Sequence, residues 1–514
     1  MRKDLGDFQT PLELVELVLE VLNDSGQNWG RVLEPTCGSG NFIEGILRSG
    51  YMPDEILGFD IQESYIQECQ RLKKLDTNNV VNVRSEDFFQ LNLRELDWKS
   101  GGDLLVIGNP PWVTNSELGS LGSDNSPRKH NLKGLKGLDA LTGSSNFDIA
   151  EAIIIKLLRD LERENPTVAM LVKTSVARNI LEYASQQGLP IESCSIYRID
   201  AKKWFNASAD ACLFCVKLGQ DRFNYSAKVY DSLENAQVET TIGVVNGKMV
   251  ANLQAYENSR MIDGKCQFNW RQGLKHDLSK VMELSRTEGD LYNGFGVRAT
   301  IEDNFVYPLL KSSDLSNGGS PRFSVIVTQK KIGEDTLYLE HSAPKLWEYL
   351  TQYKDLFDNR KSSIYRGKPP FSIFGVGEYS FAMYKVAISG MYKTPRFRVL
   401  GPLDGKPVML DDTCYFIPCE SAEQACLLGS LLNSTISMDF INSTTFWDSK
   451  RPVTKKLLQR IDIRALLEAV DKERLLESAN QCLIELGVPA IDEQSNLEKL
   501  VFGDQMQSKI PFQQ

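Results

Sequence analysis

The chain lacks any apolar run of membrane-spanning length, and Met1-Arg2-Lys3-Asp4 leads into an acidic, amphipathic segment rather than a signal peptide. With no membrane segment expected, the reading is a cytoplasmic protein. Histidine is scarce: there are only His130, His276 and His341. The ten cysteines are scattered without a framework, which fits a reducing compartment. In the close pair Cys212-x-x-Cys215, within a strand-like run, the side chains face opposite ways. With no second pair nearby, a structural zinc is excluded and no metal is expected. The most glycine-rich turn lacks both the Gly-x-Gly-x-x-Gly dinucleotide pattern and the Lys-Ser/Thr of a P-loop. No internal repeat is present. What remains is a globular composition, 42% hydrophobic and 25% charged, over 514 residues, enough for two or three domains.

The most informative segment is Asn109-Pro110-Pro111-Trp112, at the end of the apolar run Asp103 to Gly108. The Asn109 amide oxygen and the Pro110 carbonyl can both accept hydrogen bonds from one NH2 group. The two prolines hold them in place by fixing φ and removing backbone donors. Trp112 offers a face on which a planar ring can stack. Together they suit a flat molecule with an exocyclic amine, such as a nucleobase.

Upstream, the strand-like Arg31-Val32-Leu33-Glu34 runs into Pro35-Thr36-Cys37-Gly38-Ser39-Gly40 and an apolar-periodic segment from Asn41 to Leu47. This is strand, glycine-rich turn, helix, with the glycines letting backbone approach a ligand closely. A second strand, Glu55 to Phe59, ends in Asp60-Ile61, about 20 residues on, where an acid suits a ribose diol. A third, near Val80 to Val83, is followed by Asp87-Phe88, an acceptor for a purine amine beside a ring that packs on the base.

These motifs resemble the gamma class of DNA adenine-N(6) methyltransferases of the restriction–modification type, which use S-adenosylmethionine. The resemblance implies that Phe8-Gln9-Thr10-Pro11 is the cofactor lid, with Phe8, Thr10 and Pro11 as cofactor residues. It implies that Glu34, Pro35, Thr36, Cys37, Gly38 and Gly40 form the methionine-binding loop, that Asp60 and Ile61 serve the ribose, and that Asp87 and Phe88 serve the cofactor adenine. Asn109, Pro110, Pro111 and Trp112 match the catalytic motif. Asn146-Phe147-Asp148 and the strand Thr167 to Lys173 are similar to the next two motifs, and Lys203-Trp204-Phe205-Asn206 to the later one whose aromatic, Phe205, serves the target base. Trp112 stands where Tyr or Phe is commoner and keeps the stacking face. Specific motifs cover about residues 1–220; beyond them the likeness is one of plan.

The net charge of −10 argues mildly against nucleic acid, but its distribution does not. Arg360, Lys361, Arg366, Lys368, Lys385, Lys393, Arg396 and Arg398 face one acid, Glu378, across residues 360–398, interleaved with aromatics. A second cluster holds Lys450, Arg451, Lys455, Lys456 and Arg460. Phosphate neutralisation needs a local positive face, not a positive chain. The DNA-contacting set expected here is Arg360, Lys361, Arg366, Lys368, Lys393, Arg396, Arg398, Lys450 and Arg451.

The expected architecture is α/β. Residues 1–220 form a Rossmann-like methyltransferase sheet with a reversed terminal strand. Residues 221–454 form a mixed α+β target-recognition domain, and 455–514 a helical tail. The polar stretch from Val113 to Ser145, next to the catalytic turn, reads as a loop closing over DNA. The reaction implied is direct methyl transfer from S-adenosylmethionine to the adenine amine of a flipped base, by a monomer acting on double-stranded DNA, alongside a separately encoded restriction endonuclease. Trp112 and Phe205 would sandwich or edge the base. The Pro-Cys nucleophile of cytosine-C5 methylation is absent from this strand end. The alternatives are a methyltransferase acting on RNA or protein glutamine, an inactive DNA-binding relative, and a fused nuclease built on Asp314 with Gln329-Lys330-Lys331. The recognition sequence and the strand methylated are not encoded legibly.

Overall fold

The computed structural model describes residues 8–24, 26–113 and 148–503. The stretch from Thr114 to Ser145 expected to close over DNA, and Asn146-Phe147, lie outside them. The chain divides into two compact units, Met1–Leu253 and Gln254–Gln514.

The first unit is built on ten strands: β1 (Arg31–Glu34), β2 (Glu55–Asp60), β3 (Val81–Ser85), β4 (Leu104–Gly108), β5 (Thr167–Lys173), β6 (Ile191–Ile199), β7 (Ala211–Leu218), β8 (Ser226–Tyr230), β9 (Val238–Val245) and β10 (Lys248–Val250). Their order in one sheet is β10-β9-β8-β6-β7-β5-β4-β1-β2-β3. Strands β3, β2, β1, β4 and β5 run parallel, and β7 is antiparallel to both β5 and β6. This is the expected Rossmann-like sheet with its reversed strand. Every residue of β4 is buried, as expected of a parallel strand covered on both faces, which is why it reads as an unbroken apolar run. The chain turns outward in both directions from β1 and β4, so their carboxyl ends flank a switch point where a ligand can bind.

Three helices shape that end. Helix α1 (Leu12–Asn23) buries Leu14, Val15, Val18, Leu19 and Leu22 against the sheet side of the core. Helix α2 (Asn41–Arg48) starts at Gly40, whose φ of 81° is left-handed. A Cβ there would also lie 2.9 Å from Leu72 and 3.0 Å from Cys69, so glycine is needed twice over. Helix α3 (Glu63–Glu68) follows β2.

The sheet does not stop at residue 220. Strand β8 pairs in parallel with β6, from Ser195–Lys228 to Tyr197–Tyr230, and the two tyrosine rings stack 4.5 Å apart at 7°. β9 and β10 extend it further. The expected boundary at 220/221 therefore cuts through the sheet: β6 would otherwise present an open edge, which these strands cover. The division falls instead after Leu253.

The second unit holds a five-stranded sheet, spanning Glu283–Thr287, Asp290–Asn293, Val306–Leu310, Phe323–Ile326 and Met409–Leu410, and a four-stranded sheet, spanning Arg271–Gln272, Tyr384–Ser389, Arg398–Leu400 and Cys414–Cys419. The expected separate tail at 455–514 is part of this unit. Buried Arg460 pairs with Asp263 at 2.7 Å, and Gln267 donates to Asp462 at 2.8 Å. Helix Lys472–Glu485 packs on helix Ala422–Leu432. No helix among the described residues is long and apolar enough to cross a membrane.

Candidate active site

Because β1 to β4 are parallel, their carboxyl ends open on one side, and a single pocket lies across them. It is lined by residues from each strand end: Glu34 to Gly38 after β1, Asp60 and Ile61 after β2, Asp87 and Phe88 after β3, and Asn109 and Pro111 after β4. Phe8 and Thr10 form part of the same wall. The sequence-predicted residues are thus brought together from segments spread over about a hundred positions. Pro11 and Gly40 stand behind the wall as the caps of α1 and α2.

Three buried side-chain oxygens on this wall have no hydrogen-bond partner: Glu34 Oε2, Thr36 Oγ1 and Asn109 Oδ1. Buried polar atoms are nearly always paired, so a cluster of such oxygens facing one pocket marks a surface made to meet donors from a ligand. Glu34 is only 2% exposed. Burial, then the negative charge of Cys69 and Asp60, raises its carboxyl well above the usual range. A cationic ligand would reverse that balance.

Asp60 is already engaged with the protein. Its Oδ2 accepts from Gly38 N at 2.9 Å and its Oδ1 from Gln62 N at 2.8 Å, so it braces the glycine loop while facing the pocket. Gly38 has a left-handed φ of 49°, and the Gln9 amide fills the place of its missing Cβ. Asp87 accepts from Phe89 N at 3.0 Å and caps the short turn that carries buried Phe88. Ile61 is 48% exposed at the rim. Cys37 is buried, and hydrogen bonding to Cys69 followed by burial pushes its thiol up, as for a packing residue rather than a nucleophile.

At the turn after β4, Asn109 Nδ2 donates to the Phe8 carbonyl at 3.0 Å and to Thr10 Oγ1 at 3.2 Å. A carbonyl can only accept, so the amide nitrogen must face Phe8, and Oδ1 is left as an acceptor with no partner. The turn is held from behind by Lys173, at the end of β5, whose Nζ donates to the Trp112 carbonyl at 2.9 Å and to Asp148 at 2.7 Å. Burial holds the Asp148 carboxyl above the usual range despite this ion pair. Sequence reasoning noted the strand and the helix start but missed this clamp. Gln9, quoted from the sequence only as part of the lid motif, accepts at Oε1 from Ser39 N and Oγ at 3.2 and 2.9 Å.

The expected base sandwich is not present. The Trp112 and Phe205 rings touch edge to face, with centroids 5.1 Å apart at 72°. A base between two faces needs about 7 Å, twice the ~3.5 Å carbon contact distance. Phe8 packs on both rings at 5.7 Å, Trp112 Nε1 donates to the Leu171 carbonyl at 3.1 Å, and both aromatics belong to the hydrophobic core. Trp112 and Phe205 are 5% and 7% exposed, and neither lines the pocket.

In the second unit, the basic residues divide. Lys361, Arg366, Lys368, Lys393, Arg396, Lys450 and Arg451 are exposed, Arg451 lying 3.7 Å from Asp412. Arg360 and Arg398 are not available to a phosphate as they stand. Arg360 lies over the Tyr365 ring at 3.5 Å and donates to the Ser372 carbonyl at 2.7 Å. Arg398 donates to the Gly319 and Asp314 carbonyls at 2.9 and 3.1 Å. Burial lowers both guanidinium pKa values. Asp314 pairs with Arg322 at 2.6 Å, and buried Gln329 accepts from Ile373 N at 2.9 Å, so the acid and the amide of the nuclease reading serve local structure, while Lys330 and Lys331 are exposed. Among the described residues no group of three or more His, Cys, Asp or Glu side chains could hold a metal ion.

No family model matches the chain. It is 40% identical over 471 residues, 91% of its own length and 98% of the relative's, to the type II methyltransferase M.NspV of Nostoc sp.. It is 32% identical over 114 residues to the type II methyltransferase M.CvrRI of Paramecium bursaria Chlorella virus XZ-6E, covering 22% of this chain and 26% of that one. Among solved structures, the type IIL restriction–modification enzyme MmeI in complex with DNA shares the fold, with a TM-score of 0.55 at 14% identity, over 87% of this chain and 64% of that one. The chain therefore spans about two thirds of the length of MmeI.

Proposed function

The chain belongs to the type II methyltransferases, and on that premise we propose that it methylates the exocyclic amine of adenine in double-stranded DNA, as the modification half of a restriction–modification system. The methyl donor is S-adenosylmethionine. The pocket fits this cofactor: the partnerless Glu34 and Thr36 oxygens await donors, and Glu34 gains its ionised form beside a cation. Glu34 to Gly38 would hold the amino-acid part, Asp60 and Ile61 the ribose, and Asp87 and Phe88 the adenine. When bound, the cofactor supplies an electrophilic methyl group on a sulfonium.

The observation that carries the reading is the orientation of Asn109. Its Oδ1 is buried, without partner and locked by Phe8 and Thr10 beside a pocket of this kind. An amine donating to Asn109 Oδ1 and to the Pro110 carbonyl has its lone pair drawn out of conjugation. Positioning and electrostatics then lower the barrier, with no protein nucleophile. The adenine must leave the duplex, at a cost of a few kcal/mol. Base contacts are assigned to Pro111 on the pocket wall, and stacking between Trp112 and Phe205 would need the two touching rings to part. In the second unit, the exposed Lys361, Arg366, Lys368, Lys393, Arg396, Lys450 and Arg451 are assigned to the DNA backbone. The reading includes a monomeric enzyme in the cytoplasm and a separately encoded endonuclease sharing its site.

The test is incubation of the purified chain with duplex DNA and tritium-labelled donor, followed by sequencing that distinguishes modified adenine from modified cytosine. Label confined to adenine at a recurring sequence is the expected result. Label on cytosine N4 would overturn the adenine assignment. Label on RNA or on protein glutamine alone would favour the alternative enzyme classes.

A further inference from the structure

The described N-terminal residues 8–10 cross the site and touch both halves of it. Gln9 holds Ser39 of the cofactor loop, and the Thr10 carbonyl accepts from Asn41 Nδ2 at 2.7 Å. The same residues hold the catalytic amide through the Phe8 carbonyl and the Thr10 hydroxyl. Thr10 is buried.

We propose that Thr10 is a positioning residue for methyl transfer, acting through the Asn109 amide. The proposal rests on the methyltransferase reading above and adds a role that the motif resemblance does not assign to this threonine. An amide has two N–H groups and one oxygen. Here both N–H groups have acceptors, one from each end of the Phe8–Thr10 segment. A flipped amide would place Oδ1 against the Phe8 carbonyl and aim N–H groups at a substrate amine, donor against donor. The Phe8 carbonyl, which can only accept, selects the orientation of Asn109 with Oδ1 free; the Thr10 hydroxyl, which could also donate, adds the second anchor that fixes the angle of the amide. With the Thr10 hydroxyl removed, one amide N–H loses its partner in a buried setting, and the amide is freer to rotate away from the productive angle.

A residue that only lined the cofactor pocket would behave differently, so the two roles separate in kinetics. Thr10→Val keeps the shape and removes the hydroxyl. The single-turnover rate at saturating cofactor and DNA should fall about tenfold, the factor for one neutral hydrogen bond. Cofactor Kd, measured by calorimetry without DNA, should stay within about twofold. Thr10→Ser should restore most of the rate. Weaker cofactor binding with an unchanged saturated rate would overturn the proposal and make Thr10 a cofactor ligand. A serine variant as slow as the valine variant would overturn it too. Should the valine variant lose its fold, judged by thermal melting, Thr10→Ala enters the same two measurements. Wild-type chain with no transfer to DNA would bring down the methyltransferase reading and this proposal together, whereas an active wild type with an undiminished Thr10→Val rate sinks only the latter.

Discussion

Replacing Asn109 with alanine removes the side-chain oxygen that the proposed reaction directs at the target amine. In the free protein, Oδ1 is buried without a partner, a standing cost of about 1–3 kcal/mol. That cost is relieved only when an amine donates to it, so the interaction favours the reacting complex over the resting one. Losing a single preorganised group of this kind costs about 2.7–4 kcal/mol of barrier, roughly 10²–10³ in rate. The fold should tolerate the change. Alanine strands the Phe8 carbonyl and the Thr10 hydroxyl, which lose their 3.0 and 3.2 Å bonds, but it also deletes the unpaired oxygen. The two effects oppose each other, leaving a net change of about 1 kcal/mol. Single-turnover transfer of tritiated methyl to DNA, at saturating cofactor, reads the chemistry, and calorimetry reads cofactor affinity. The expected variant binds cofactor within a few-fold of wild type and transfers at least a hundredfold more slowly. A near wild-type transfer rate would refute the assignment of Asn109.

Three further outcomes follow from the geometry. Glu34 has a folded pKa raised well above 4.5 by burial. An acid raised in this way stabilises the native state most below its unfolded pKa, and that contribution is lost as pH climbs towards the folded value. Cofactor-free Glu34→Gln should therefore melt above wild type at neutral pH, and it should lose the proton release that accompanies cofactor binding in wild type; calorimetry in buffers of different ionisation enthalpy checks the second point. Phe205→Ala should cost about 3–5 kcal/mol of stability as a core truncation; normal melting with altered fluorescence of 2-aminopurine at the target position would instead restore Phe205 to the base. Arg396→Ala should flatten the salt dependence of DNA binding by about 0.9 with unchanged melting, whereas Arg398→Ala should lower the melting temperature by unpairing the Asp314 and Gly319 carbonyls; the reverse pattern would show that burial misleads here.

The parallel half of the sheet was legible in the sequence because its strands are covered on both faces. Val32-Leu33, Ile56 to Phe59 and Leu104 to Ile107 read as short apolar runs, and each ends in a residue type that a ligand site requires. Local rules of turn and helix start tied Glu34 to Gly40, Asp60, Asp87 and Asn109 to strand ends, and parallel pairing then put them around one pocket. The tertiary structure decided what depended on partners far along the chain. Strands β8 to β10 look like any half-exposed strands, and only the open edge of β6 made them part of the first unit. Aromatic residues at two strand ends serve equally as a base clamp or as core; here Trp112 and Phe205 touch each other at 5.1 Å and both pack in the core. A basic side chain looks the same whether it faces phosphate or a buried carbonyl, and Arg360 and Arg398 turned inward. The hold of Phe8 and Thr10 on Asn109 spans about a hundred residues. Periodicity and motif spacing report local geometry, whereas the choice among chemically equivalent partners is made by packing across the fold, and that choice set the direction in which the Asn109 amide points.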